Sequence, residues 1–452
     1  MLKEIQNQFA MTADDTIVVA QISAGAALCA VFVTGTLADR LGDRRVMLMA
    51  CLLFAAGAVG VGVSPNSSVL LVALAIGAVG TVAMAIVGLS VLNKTFPEAK
   101  SRAQAFSMFA VIAPVVAIVV PMVTGAMVPA LGWRSVTVVW VVVAVLVTLF
   151  AKGSLVKHVD IAERASSQPR VELTTPLLAG VALAGIALTF SFLNITSRTQ
   201  KHLGHAVVSL GIGFVALGAL TLIMRARPNA TLDIRLLRTK GAFPVAAVVF
   251  LINSVNLFFF TFLILQFRYH QSLFDTAVFL IVPQVTAAAG AILSGRLSAK
   301  WGSWRVAATA LAIASVLSLG TFFVGPESSA WVAVAVLAIA ALPIAGAVGP
   351  TTQAFMDLAP IDGGGAASSW RNASSNLGVA IGGVIVGAIV FNDLDADTAS
   401  TIAAYRQQAD AFHLAGALCV IGYLAAAGFM LLHARRRGNL RRGNLQRHVD
   451  RH

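Results

Sequence analysis

Apolar stretches of about 18 or more residues recur along the whole of this chain, and each is long enough to cross a ~30 Å hydrocarbon core. No soluble fold could hide that much apolar surface. Of the 452 residues, 58% are hydrophobic and 11% charged, with a mean hydropathy of +0.86. Ordinary soluble domains carry roughly 25% charged residues. A lipid-spanning segment must satisfy its own backbone polar groups, so runs this continuous read as helices and not as barrel strands. The expected fold class is an all-α polytopic membrane protein.

Thirteen spans are expected, at 16–38, 46–64, 69–92, 104–129, 133–151, 173–193, 205–224, 242–266, 274–295, 304–324, 330–356, 367–391 and 410–433. The loops between them alternate in charge. One set holds Arg40, Arg44 and Arg45, then Lys94, Lys100 and Arg102, then Lys152, Lys157, Arg164 and Arg170. It continues with Arg225, Arg227, Arg235, Arg238 and Lys240, with Arg296, Lys300 and Arg305, with Arg371, and with the tail from Arg435. The opposite set holds only Lys3, Arg134, Arg198, Lys201, Arg268 and Arg406. Basic residues favour the cytoplasmic side. The C-terminus is therefore expected inside, with residues 1–15 outside, in the plasma membrane, most simply a bacterial inner membrane.

The net charge of +13 lies in these short loops, which argues against nucleic acid as a partner. Residues 1–15 lack the basic start and apolar core of a signal peptide. Cys29, Cys51 and Cys419 lie inside apolar runs, without metal-ligand spacing or a disulfide framework. No nucleophile–base pair, metal cluster or phosphate loop is visible. Neither an enzyme nor a cofactor is expected.

A short motif occurs twice. Gly35-Thr-Leu-Ala-Asp39-Arg40-Leu-Gly42-Asp43-Arg44-Arg45 has a partner about 260 residues on, Gly295-Arg-Leu-Ser-Ala-Lys300-Trp-Gly302-Ser-Trp-Arg305. Gly, Leu, Gly and Arg recur at identical spacing, and each copy joins one span to the next. Gly35 would let two helices approach closely, and Gly42 would permit a tight reversal. Asp39, at a helix end, is expected to pair with an Arg of a neighbouring loop. Two similar halves related by an axis along the membrane normal are a transporter architecture.

At these residues the chain resembles the major facilitator superfamily, and most of all its fourteen-span drug:proton antiporter branch. Gly35 to Arg45 is similar to the superfamily's signature loop. Leu131-Gly132-Trp133-Arg134 resembles the entry to its sixth helix, and Leu232 to Arg238 the basic segment before its C-terminal half. Gly365-Ala-Ala-Ser and Asn372-x-x-x-Asn376-Leu377-Gly378 resemble its penultimate helix. The resemblance implies an N-terminal bundle at 1–152, a linker with two extra helices at 153–226, a C-terminal bundle at 227–434 and a basic tail at 435–452. It also implies that the family's first helix, which would precede Leu2, is absent. Gly77 and Gly80 are then expected to face the place that helix would fill. Two further departures concern coupling. Leu74 stands where the family's fourth helix carries an arginine, and only Pro121 and Gly125 remain of the exporter motif.

No ionisable residue is expected near the middle of a span; Asp275, Asp357, Asp393, Asp395, Asp397 and Asp410 fall at span ends or in loops. The candidate cavity residues are neutral: Asn253 and Asn256, at i and i+3 on one helical face, and Gln284 after Pro283. Interhelical bonding by the two asparagines is the alternative. Gly378-x-x-x-Gly382 and Gly383-x-x-x-Gly387 read as packing, and His413 as a hydrogen-bonded structural histidine. The tail repeats Arg-Arg-Gly-Asn-Leu from Arg436 and from Arg441, a segment fit to lie on anionic lipid. The expected function is export of small amphipathic or lipophilic compounds by alternating access and proton exchange, with the bilayer, a small-molecule substrate and protons as partners. The alternative is a truncated, non-transporting or regulatory protein of the same fold.

Overall fold

The computed structural model describes residues 2–154, 172–193, 200–226, 236, 239, 241–267, 273–359, 363–391 and 402–449. These residues form helices joined by short turns, with no strand among them. In chain order the helices are α1 Leu2–Phe9, α2 Ala13–Leu41, α3 Asp43–Val63, α4 Ser67–Thr95, α5 Ala99–Leu131, α6 Arg134–Ser154, α7 Thr174–Leu193 and α8 Gln200–Ala226. There follow α9 Ala242–Ser254, α10 Leu257–Phe267, α11 Leu273–Phe279, α12 Ile281–Trp301, α13 Ser303–Ser318, α14 Ala330–Met356, α15 Gly364–Phe391 and α16 Ile402–Val449. Among the described residues, eleven helical segments are long and apolar enough to cross a membrane. They match eleven of the thirteen stretches expected from hydropathy. Of the other two, 367–391 forms α15, and 242–266 is not one helix but the pair α9 and α10.

The chain divides into two compact units. The first comprises Met1–Thr95, Val120–Ile234 and Ala359–Gly387; the second comprises Phe96–Val119, Arg235–Leu358 and Ala388–His452.

In the first unit α4 packs on α2 and α3, α6 on α3, and α7 on α2 and α8. Small residues let the backbones touch. A Cβ on Gly80 would come within 2.8 Å of the Ala50 carbonyl oxygen, and one on Gly57 would strike the backbone of Gly77. Gly77 and Gly80 thus face α3, not the place of a missing helix, which corrects the expectation above. The reason is that lipid gives no hydrophobic drive between helices, so close contact at glycines must hold the pair. Leu74 packs in an apolar cluster with Ile5, Val61, Leu70 and Trp133.

In the second unit α12 and α13 pack on α14, and α16 packs on α9 and α13. The break between α9 and α10 falls at Val255, whose backbone turns to φ −108 and ψ 82. The Tyr423 hydroxyl of α16, fully buried, donates to the carbonyl oxygen of Val255 at 2.7 Å. A carbonyl released from a helix inside a membrane needs such a donor. In the first unit, large apolar residues such as Val142, Leu146, Phe150, Val215 and Leu222 are exposed. That is the surface a bilayer requires.

Candidate functional site at the two signature loops

The first signature loop ends α2 and starts α3. Gly42 sits at φ 89 and ψ 144, a backbone open to glycine, and makes the reversal that Asp43 follows. Gly35 meets Gly365 at the first turn of α15, where a Cβ on either glycine would strike the other residue's carbonyl oxygen. The Ser369 hydroxyl donates to the Val31 carbonyl at 2.7 Å, and Phe32 meets Trp370 edge-on with ring centroids 4.7 Å apart.

This close approach sets up the central feature. The Asp39 carboxylate accepts the backbone N–H of Gly365 at Oδ1 and that of Ala366 at Oδ2, both at 2.8 Å. It caps two of the donors that the start of a helix leaves unsatisfied, at the positive end of the α15 dipole. The expected Arg partner is therefore replaced by a helix N-terminus. The loop's ion pair belongs instead to Asp43, which is buried, bonds Lys94 Nζ at 2.8 Å and accepts from the Ser90 hydroxyl at 3.0 Å. Ser90 in turn packs where a Cβ on Gly364 would lie, 2.7 Å from its Oγ. Arg45 is exposed, while Arg40 and Arg44 are half-buried.

The second copy has the same backbone. Gly302 sits at φ 87 and ψ 145 between α12 and α13. Gly295 brings α12 against α5, where a Cβ would lie 2.6 Å from Cβ of Ser107. Arg305 is exposed in the first turn of α13. Nearby, Arg102 pairs with Asp357 at 3.1 Å, and Gln353 Nε2 donates to the Ala99 carbonyl at 3.4 Å.

The Leu131–Arg134 motif is a hinge of hydrogen bonds in the first unit. Gly132 has φ +75. The buried Trp133 donates Nε1–H to Gln8 Oε1 at 2.8 Å, and Arg134 donates to that oxygen and to the carbonyls of Gly62 and Ser64. Gln8 could not be foreseen, because nothing in residues 2–9 marks a partner 125 positions away.

The polar candidates fare unevenly. Asn253 and Asn256 do not share a helical face: α9 ends between them, because Tyr423 holds the Val255 carbonyl outside any helix. Asn253 Nδ2 bonds back to the Val249 carbonyl at 2.7 Å, whereas Asn256 is exposed at the break. Gln284 is half-buried in the first turn of α12 beside the buried Pro283. Pro121 and Gly125 are half-buried within α5. His413 meets the Val324 carbonyl at 3.0 Å. Residues 232–235 and 237–238 of the basic segment, Asp393, Asp395 and Asp397 lie outside the described residues, as do the side chains of the tail beyond Ala434.

Arg371, counted with the basic loops although it falls inside the expected 367–391 span, lies about two turns inside α15. Its Nε is shut off from solvent without a hydrogen-bond partner among the described residues. The expected span at 367–391 already contains it, but a cation near a span's start reads equally as part of the adjoining basic loop.

Long apolar helices, a signature turn repeated with the same backbone, and a carboxylate clasping a helix end define a polytopic membrane protein of transporter architecture. The sequence model of the Major Facilitator Superfamily matches residues 1–383. The chain belongs to that superfamily, a family of transporters rather than enzymes. It is similar to the multidrug resistance protein Stp of Mycobacterium tuberculosis, at 28% identity over 396 residues, 86% of this chain and 71% of that one. It is also similar to the methylenomycin A resistance protein of Streptomyces coelicolor, at 24% identity over 372 residues, 81% of this chain and 76% of that one. Among solved structures, the human organic anion transporter MFSD10 shares the fold, with a TM-score of 0.65 and 15% identity over 91% of this chain and 83% of that one.

Proposed function

We propose that this chain is a plasma-membrane exporter that moves small amphipathic or lipophilic compounds outward by alternating access, in exchange for protons, with its C-terminus in the cytoplasm. The observation that carries the reading is the bond pair from Gly365 and Ala366 to Asp39. A carboxylate on a helix N-terminus is a contact that can be made in one conformational state and released in another, and such a contact biases the equilibrium between them. Two hydrogen bonds to a charged acceptor at a helix end contribute on the order of 2 kcal/mol, enough to shift a two-state population more than tenfold. The names of the relatives Stp and methylenomycin A resistance protein support drug-like cargo. Asn256, exposed where α9 breaks, is the proposed polar contact for substrate, with Gln284 as a second.

Arg371 is the proposed charge-sensing residue. A cation this deep in a spanning helix is costly to keep and marks function more often than packing.

The test is accumulation of a fluorescent amphipathic cation in cells expressing the chain, with and without a protonophore. The reading requires lower accumulation than in cells lacking the protein, and recovery of accumulation once the protonophore collapses the proton gradient. Accumulation equal to that of control cells would overturn export. Export indifferent to the protonophore would overturn proton exchange.

A further inference from the structure

Each signature copy sets its first glycine against a serine of a crossing helix. In the first unit a Cβ on Gly35 would strike the Ser369 hydroxyl of α15. In the second a Cβ on Gly295 would lie 2.8 Å from the Ser107 hydroxyl of α5. The two serines are equally buried, at 1% and 2% exposure. Their hydrogen bonding differs. Ser369 donates across its crossing to the Val31 carbonyl. Ser107 Oγ is shut off from solvent and has no partner among the described residues.

Two neighbours of Ser107 share this condition. Ser298 of α12 and Gln353 of α14 bound one cavity with Ala99, the first residue of α5. Ser298 Oγ and Gln353 Oε1 are likewise closed to solvent and unmatched among the described residues. Hydroxyls elsewhere in the helices bond back to a carbonyl one turn earlier, as Thr36 does to Phe32 and Thr189 to Gly185. Each unmatched atom has given up water without gaining a partner, so three of them burden this packed arrangement. The bond from Gln353 Nε2 to the Ala99 carbonyl is long, at 3.4 Å. At the first crossing Asp39 and Ser369 are both matched.

Helix α14 is also weakened at this place. Pro350 lies inside it, directly after Gly349, where a Cβ would lie 3.0 Å from the Ser107 hydroxyl. The proline ring removes the donor that the Gly346 carbonyl would take, and helices bend at such positions. The segment beyond Pro350 carries Gln353 and leads to Asp357, the partner of Arg102.

We propose that the α5–α12–α14 crossing is the seam that parts first when the protein changes state, ahead of the α2–α15 crossing. Ser107, Ser298 and Gln353 meet water in the parted form, and the end of α14 swings about Pro350. The proposal rests on the alternating-access reading and adds which crossing yields first.

The test compares Ser107→Cys with Ser369→Cys in the purified full-length protein in lipid nanodiscs. Alkylation by N-ethylmaleimide is followed by peptide mass spectrometry, which separates the new thiols from Cys29, Cys51 and Cys419. Two equally buried thiols react alike if the crossings open together. Ser107→Cys should react about tenfold faster, a difference of about 1.4 kcal/mol in opening. A thiol replaces the Val31 bond poorly, which can only raise the Ser369→Cys rate and makes the comparison stricter. Adding Pro350→Ala, which restores the helix donor, should slow Ser107→Cys labelling several-fold. If that variant fails to accumulate, Ser298→Ala decides, because removing an unmatched hydroxyl should also slow the labelling. Equal rates at the two sites, faster labelling at Ser369→Cys, or undiminished labelling in the folded second-site variants would overturn the proposal and leave alternating access standing. No labelling at either site would overturn both.

Discussion

Gly35 and Gly365 meet backbone against backbone, and a side chain on either would strike the other's carbonyl oxygen. This contact is what lets Asp39, one turn further along α2, reach the amides of Gly365 and Ala366. Packing and electrostatics are therefore coupled within the first unit. Gly35→Ala should cost about 1–3 kcal/mol through overpacking and should also weaken the carboxylate cap. Lowered thermal stability together with lowered transport is the expected outcome. Unchanged melting would show that the contact is looser than the structure has it.

The two asparagines should separate. Asn253 is half-buried within α9, while Asn256 is exposed at the break. Asn256→Ala should raise the substrate concentration needed for half-maximal efflux several-fold. Asn253→Ala should leave that concentration unchanged. Transport kinetics of the two variants at matched abundance provide the check, and equal effects would contradict the assignment.

Arg371 invites a comparison of charge with size. Arg371→Lys keeps the cation and should retain part of the transport rate, while Arg371→Gln should lose most of it at unchanged abundance. Equal rates in both variants would assign Arg371 to packing alone.

Sidedness can be tested with single cysteines. Positions Ser67 and Ser328 should be labelled from outside intact cells, and positions Ser166 and Gly443 should not. The reverse pattern would end the positive-inside argument.

Much of this architecture was legible in the sequence because it rests on local signals. Spans follow from the length of apolar runs, and the turns at Gly42 and Gly302 follow from a repeated spacing. What escaped was set by partners far along the chain. The stretch 242–266 is uniformly apolar, and its break appears only when Tyr423, 168 positions on, takes the Val255 carbonyl. An Arg partner is expected for Asp39 because charges are visible in sequence, whereas a helix N-terminus 326 positions away is not. Arg371 stands only a few residues into its expected span, so loop charge counts it and hydropathy spans it, and sequence alone does not choose between the two.

Whether the Asp39 cap on α15 drives transport is decided by substrate efflux from Asp39→Asn. Asparagine keeps the shape but loses the charge, and its amide nitrogen cannot accept the second of the two backbone N–H groups. Efflux of the fluorescent cation should fall at least about tenfold, in keeping with a contact worth on the order of 2 kcal/mol, while membrane abundance stays near that of wild type. Asp39→Glu, with the charge kept but displaced, should fall between the two. Wild-type efflux from Asp39→Asn would contradict the account and leave Asp39 as a marker of the turn alone.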